Sequence, residues 1–169
     1  MVLIGLGSNL ASACMTQLQL VEAAVARLEQ LCAPNPLMVS SLYRTAPIDC
    51  APDTEDFVNA AAAFAPLPGM TPLGLLDALK ALEAEFGRQA NPVRNAPREL
   101  DLDLLLFGDR EMRTPRLTLP HPRAVQRRFV LAPAAEILPS LPWPGTGNSI
   151  GQLLVELDDQ ERVERLDVA

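Results

Sequence analysis

Lysine is almost missing from this 169-residue chain, with Lys80 alone beside thirteen arginines. A Walker-type phosphate loop ends on a lysine, so any nucleotide bound here must be gripped by arginine forks instead. Histidine occurs once, at His121, and the three cysteines Cys14, Cys32 and Cys50 show no CxxC spacing. That pattern excludes a zinc centre of Cys and His ligands, argues against a disulfide framework, and leaves free thiols as the expectation. Internal repeats are lacking, as is any apolar run near the ~18–20 residues of a membrane span. The segment Met1–Gly5 has neither the basic region nor the length of a signal peptide, so a cytoplasmic protein without membrane contact is expected. A net charge of −7 lacks the basic footprint that nucleic-acid binding requires.

What the chain does have is apolar mass, 49% of its residues, enough to build one core over residues 1–169 as a single domain. Its charge is unevenly spread. Between Arg88 and Arg128 lie nine of the thirteen arginines against five acids, so this window carries +4 and the remainder −11. An arginine belt on an acidic protein suits a small polyanion, because the guanidinium fork matches phosphate. Arg110, Arg113 and Arg116 serve equally well as surface solubilisers.

Val2–Leu6 reads as a buried strand closed by the loop residues Gly7, Ser8 and Asn9. Thr16 with Gln19 forms a capping-box pattern, and Leu18, Val21, Val25, Leu28 and Cys32 follow at helical spacing until Pro34 and Pro36. Leu37–Tyr43 is the second strand expected, residues 45–56 a long loop, and Phe57–Phe64 the third strand. Thr71 and Pro72 open a helix whose apolar stripe Leu75, Leu79, Leu82 and Phe86 runs to Gly87. After an irregular stretch, Leu100–Phe107 is a further strand. Residues 115–122 read as irregular and 133–138 as a short helix; another helix starts near Ser149, and a last strand falls within 162–168. This order predicts an α+β, ferredoxin-like βαββαβ fold, an antiparallel sheet with helices on one face and a C-terminal extension.

The segment Arg94-Asn95-Ala96-Pro97-Arg98-Glu99-Leu100-Asp101-Leu102-Asp103-Leu104-Leu105 carries the chemistry. The period of a strand puts Asp101 and Asp103 on one side, their Cα atoms roughly 6.5 Å apart, and the leucines on the other. Two such carboxylates repel unless a hard cation lies between them, and Mg²⁺ prefers one or two carboxylates plus water and substrate phosphate. An isolated Asp-x-Asp is more often a solvated strand face. Here the apolar run Leu104–Phe107 follows directly, so the acids stand at the end of a core element. Phe57 and Asn59, two apart, share a face of their strand.

Together with Gly5-Leu6-Gly7-Ser8-Asn9-Leu10, Ser40-Ser41-Leu42-Tyr43-Arg44-Thr45, Phe57-Val58-Asn59-Ala60 and Leu119-Pro120-His121-Pro122, that segment resembles the 6-hydroxymethyl-7,8-dihydropterin pyrophosphokinases of folate biosynthesis, in order from residue 2 to about 140. The resemblance implies transfer of pyrophosphate from ATP to the pterin hydroxymethyl group, giving AMP and the pterin diphosphate. It implies that Asp101 and Asp103 bind two Mg²⁺ ions and that Arg88, Arg98 and the two aspartates form the catalytic set. Arg88, Arg94, Arg98, His121 and Arg127 match positions that contact ATP. Phe57 and Phe129 would sandwich the pterin ring, while Asn59, Thr45 and the backbone at Ile48 would read its polar edge. From sequence alone, core packing is the stronger reading of both phenylalanines. The expected partners are these two small molecules, and a monomer is expected.

The chain departs from the family pattern at Asn95, where tryptophan is common, at Phe57 for tyrosine, and at Pro122 for an aromatic residue. The loop between Thr45 and Phe57 is about one residue longer. Two other classes fit parts of the pattern. A glycosyltransferase also uses Asp-x-Asp, but its glycine-rich doubly wound repeats are missing, and a ligand-binding module on the same fold would bind without turnover.

Overall fold

The computed structural model describes residues 1–34, 36–47, 54–87, 98–157 and 161–167. Its main sheet is antiparallel throughout and grows from β1 (Val2–Ser8), flanked by β4 (Phe57–Phe64) and β5 (Asp101–Phe107). Beyond β4 lies β3 (Tyr43–Thr45), and then β8 (Val163–Arg165), giving the order β5-β1-β4-β3-β8. The short strand β2 (Met38–Val39) also pairs with β4. A separate hairpin joins β6 (Met112–Arg113) to β7 (Thr118–Leu119), the second of them inside the stretch expected to be irregular.

The one strand expected over Leu37–Tyr43 is split into β2 and β3, and Ser40 is the reason. Its hydroxyl accepts the Ala61 N–H at 2.9 Å and donates to the Ser41 carbonyl at 2.7 Å, so a side chain replaces one rung of the β4 ladder. The Ser40 N–H still donates to the Ala61 carbonyl at 2.9 Å, and both backbone groups stay satisfied.

Helices α1 (Gln17–Leu28) and α2 (Pro72–Glu85) form where local chemistry dictates. The Thr16 hydroxyl accepts the Gln19 N–H at 3.3 Å while the Gln19 side chain accepts the Thr16 N–H at 2.9 Å. Thr71 caps α2 by accepting the Gly74 N–H at 3.1 Å. A 3-10 turn takes over at Glu29, so Cys32, the last residue of the predicted stripe, lies in extended chain past the end of α1. Glu83 of α2 is fully buried and accepts the Leu102 N–H at 2.8 Å, which covers the outer edge of β5.

Strand alternation sorts two cores. Val2, Ile4 and Leu6 of β1 join Val58, Ala60 and Ala62 of β4 under Val21, Leu28, Leu75 and Leu79 of α1 and α2. On the other face, Leu3, Ala61, Ala63 and Leu105 pack on α3 (Arg128–Ile137) and α4 (Ile150–Glu156) through Val130, Leu131, Ala134 and Ile150. The expectation of helices on one face alone is therefore corrected, because the C-terminal part of the chain covers a portion of the second face. The helix predicted over 133–138 begins five residues earlier, at Arg128, with Pro133 in its interior. No side chain of its own first turns caps it; Glu161 instead accepts the N–H groups of Arg128 at 2.7 Å and Phe129 at 3.3 Å. No helix among the described residues is long and apolar enough to cross a membrane.

Candidate active site

The uncovered part of the second face is organised by register. Gly5 and Gly7 of β1 stand opposite Asp103 and Asp101 of β5, and on their other side opposite Ala61 and Asn59 of β4. Two residues without side chains thus separate the acid pair from Ala61 and Asn59, with the Leu105 side chain lying over Gly5 and the Asn59 amide over Gly7. At Gly7 the requirement is strict, since a Cβ there would lie 2.9 Å from Asn59 Oδ1.

Asp101 and Asp103 project to the same face, as period two demands, while Leu100, Leu102 and Leu104 enter the first core. Burial, and after it the neighbouring Asp101 charge, push the Asp103 carboxyl above the ordinary carboxylate range, with His121, Lys80 and Arg127 pulling the other way. The Arg98 guanidinium reaches Asp101 at 3.0 Å. Arg98 is itself held from the first loop, for its N–H donates to Asn9 Oδ1 at 2.9 Å and its carbonyl accepts the Asn9 N–H at 3.2 Å. Asn9 is buried, so this clamp fixes the entry to β5.

His121 follows β7 and its N–H donates to the Leu105 carbonyl at 2.9 Å. Its Nδ1 accepts the Arg123 N–H at 3.3 Å, which assigns the proton of the neutral ring to Nε2. Burial lowers its pKa, against the opposing pull of Asp103. A neutral ring donating from Nε2 suits contact with phosphate oxygen. Lys80 lies nearby on α2, its ammonium 2.9 Å from the buried Glu83.

On the far side of the glycine strip, Asn59 Nδ2 donates to Thr45 Oγ1 at 2.6 Å, and Phe57 stands opposite Thr45. Val58 and Ala60, which alternate with them, turn into the first core, so Phe57 and Asn59 share the site face. Phe129, in the first turn of α3, packs partly buried against the second core with the Arg127 guanidinium 5.4 Å from its ring centroid. Arg88, Arg94, Asn95 and Ile48 lie outside the described residues. Of the remaining arginines in the belt, Arg110 stacks over Phe107 at 6.0 Å and Arg116 pairs with exposed Asp77.

Among the described residues no group of three or more Asp, Glu, His or Cys side chains gathers as a metal cage. Two adjacent carboxylates, one of them strained toward neutrality, form an oxygen donor set that fits a hard cation whose other ligands come from water and phosphate. From sequence, Gly7 and Asn9 read as loop residues closing a strand that ends at Leu6, whereas β1 runs on to Ser8; Glu83 carries no expected role. The signal for Gly7 was present, since extending β1 by two residues places Gly5 and Gly7 on one face. That for Asn9 and Glu83 was not, because their partners are 89 and 19 residues away.

The family model for 7,8-dihydro-6-hydroxymethylpterin-pyrophosphokinase (HPPK) matches residues 3–139. A 2-amino-4-hydroxy-6-hydroxymethyldihydropteridine pyrophosphokinase of Pseudomonas aeruginosa is 41% identical over 165 residues, covering 98% of this chain and 96% of the relative. Another of the same name from Bacillus subtilis is 40% identical over 134 residues, 79% of this chain and 75% of the relative. Among solved structures, the Plasmodium falciparum HPPK-DHPS triple mutant superposes with a TM-score of 0.70 at 14% identity, over 92% of this chain and 42% of that one. This last likeness is one of fold, and the chain spans less than half the length of that protein.

Proposed function

Because the chain belongs to the 7,8-dihydro-6-hydroxymethylpterin-pyrophosphokinase family, we propose that it transfers the pyrophosphoryl group of ATP to 6-hydroxymethyl-7,8-dihydropterin in folate biosynthesis. The observation that carries this reading is the glycine strip with an acid pair on one side and a polar pair, Asn59 and Thr45, on the other. That arrangement sets acids and amide on one face of the sheet, the order in which a triphosphate and a flat heterocycle would have to lie side by side. The pterin hydroxymethyl oxygen attacks the β-phosphorus, the bond from that phosphorus to the α,β-bridging oxygen breaks, and AMP leaves.

In this reading Asp101 and Asp103 would hold Mg²⁺, which when bound would neutralise phosphate charge. Arg98, Arg127 and Nε2 of His121 donate to phosphate oxygens, as would Arg88 and Arg94. Asn59 and Thr45, already hydrogen-bonded at 2.6 Å, present a fixed polar edge to the pterin, and Phe57 and Phe129 stack on its faces. A ferredoxin-like core belongs to the same proposal, and the order β5-β1-β4-β3 with α1 and α2 on one face supports it. So do a cytoplasmic location and action as a monomer.

The test is incubation with ATP, MgCl₂ and 6-hydroxymethyl-7,8-dihydropterin, with AMP resolved from ADP chromatographically. AMP is expected only when both pterin and Mg²⁺ are present, and EDTA should abolish it. Folded protein that forms no AMP would overturn the assignment and leave a binding module.

A further inference from the structure

We infer that the C-terminal segment 161–166, beyond the family match that ends at residue 139, is a positioning element for the pterin side of the site, with Glu161 as its decisive residue. The inference rests on the pyrophosphokinase reading for the identity of the ligand.

Helix α3 starts without a cap of its own: its N-cap residue is Arg127, which contributes no side-chain hydrogen bond to the first turn. Glu161, 33 residues away from Arg128, supplies the missing acceptor, one carboxylate oxygen taking the Arg128 N–H at 2.7 Å and the Phe129 N–H at 3.3 Å. A carboxylate here satisfies two orphan donors and meets the positive end of the helix dipole. The turn so fixed carries both Arg127, whose charge acts on Asp103 and His121, and Phe129.

The residues that follow reach the other pterin-side elements in succession. Arg162 accepts the Ala46 N–H through its carbonyl at 3.2 Å, and its guanidinium holds Asp56, the residue before Phe57, at 2.5 Å. Val163 then pairs with Thr45, and the Leu166 N–H donates to the Leu42 carbonyl at 2.8 Å. Three consecutive residues therefore touch the turn of Phe129, the start of β4 before Phe57, and the strand of Thr45. A segment that served only to close the sheet edge would need the strand pairing alone.

The experiment compares the full chain with Glu161→Ala, Glu161→Gln and, as a matched loss of a helix cap at α4, Ser149→Ala. Pterin KM and kcat are read at saturating ATP, thermal midpoints by circular dichroism, and protection of the Arg128 and Phe129 amides by hydrogen exchange. Glu161→Ala is expected to raise pterin KM about tenfold and to deprotect both amides, whereas Glu161→Gln, whose amide oxygen still accepts, changes KM about threefold. Ser149→Ala lowers the thermal midpoint with KM unchanged. Pterin KM within twofold of the parent in a Glu161→Ala protein with both amides exposed overturns the inference, as does an equal KM change in Ser149→Ala. If Glu161→Ala does not fold, Glu161→Gln decides: pterin KM raised about threefold supports the inference, and KM unchanged from the parent overturns it. If the parent forms no AMP, the functional reading fails separately. Pterin binding by its own fluorescence then decides, with loss of affinity in Glu161→Ala supporting the inference and no binding by the parent overturning it.

Discussion

Asp103 is a charge kept where the folded chain pays for it. Burial and the Asp101 carboxylate both raise its pKa, so between the ordinary value of 3.8 and the raised one the native state binds more protons than the unfolded. Stability contributed by its protonated form is thus present at low pH and lost as pH rises through that window. Asp103→Asn should therefore raise the thermal midpoint at pH 7 without Mg²⁺, each 3 °C or so reporting about 1 kcal/mol, while AMP formation vanishes. A variant with the parent's turnover, or a lowered midpoint, would show that the carboxylate is structural. Gly7 is the complementary case, a residue defined by what it leaves out, because any side chain there strikes the amide of Asn59.

At the scale of elements, the edge of β5 depends on one side chain. Glu83→Ala leaves the buried Leu102 N–H unsatisfied and frees Lys80, and should destabilise by on the order of 3 kcal/mol in urea unfolding. A loss under 0.5 kcal/mol would mean that water takes over the amide without cost. Elements written in local chemistry were legible from sequence. The capping box of Thr16 and Gln19, the Thr71-Pro72 start, the Ser149 start and the two-residue period of Asp101–Phe107 each involve neighbours within four residues. What was not legible depended on distant partners. The start of α3 waits on Glu161, the division of β2 from β3 on a Ser40 bond across to Ala61, and the β6–β7 hairpin is two residues per strand amid prolines. The same division holds for the site. The acid pair and the shared face of Phe57 and Asn59 follow from strand period alone, whereas the Asn9 clamp on Arg98 spans 89 positions.

Across the whole molecule, Glu136 of α3 ties the second helical layer to the sheet edge. It accepts from Ser41 N–H at 3.0 Å, Ser41 hydroxyl at 2.8 Å and Tyr43 hydroxyl at 2.8 Å. Burial pushes its carboxyl up, but these bonds outweigh it and hold the pKa below the ordinary 4.5; in turn, burial and then this bond push Tyr43 up to about 12. A depressed carboxyl contributes stability that is present above its unfolded pKa and lost as pH falls through the folded one. Glu136→Gln should accordingly lower the thermal midpoint at pH 7 and flatten its decline below about pH 4.5, the unfolded value. The single tyrosine makes the second readout clean: its absorbance titration should shift from about 12 toward 10, and an unmoved titration would mean that burial alone holds Tyr43 high.

The run Ala60–Ala63 in β4 has been described as part of two cores, and it is also a partition one methyl thick on either side. Ala60 and Ala62 meet the layer of α1, and Ala61 and Ala63 meet that of α3, so neither layer can be thickened without pressing on its own helix. Enlarging Ala61 would act on the helix that carries Phe129, and enlarging Ala62 would act on the opposite layer and spare it. The strand therefore works as a two-sided gauge, through which the spacing of the α3 layer can be adjusted independently of the α1 layer.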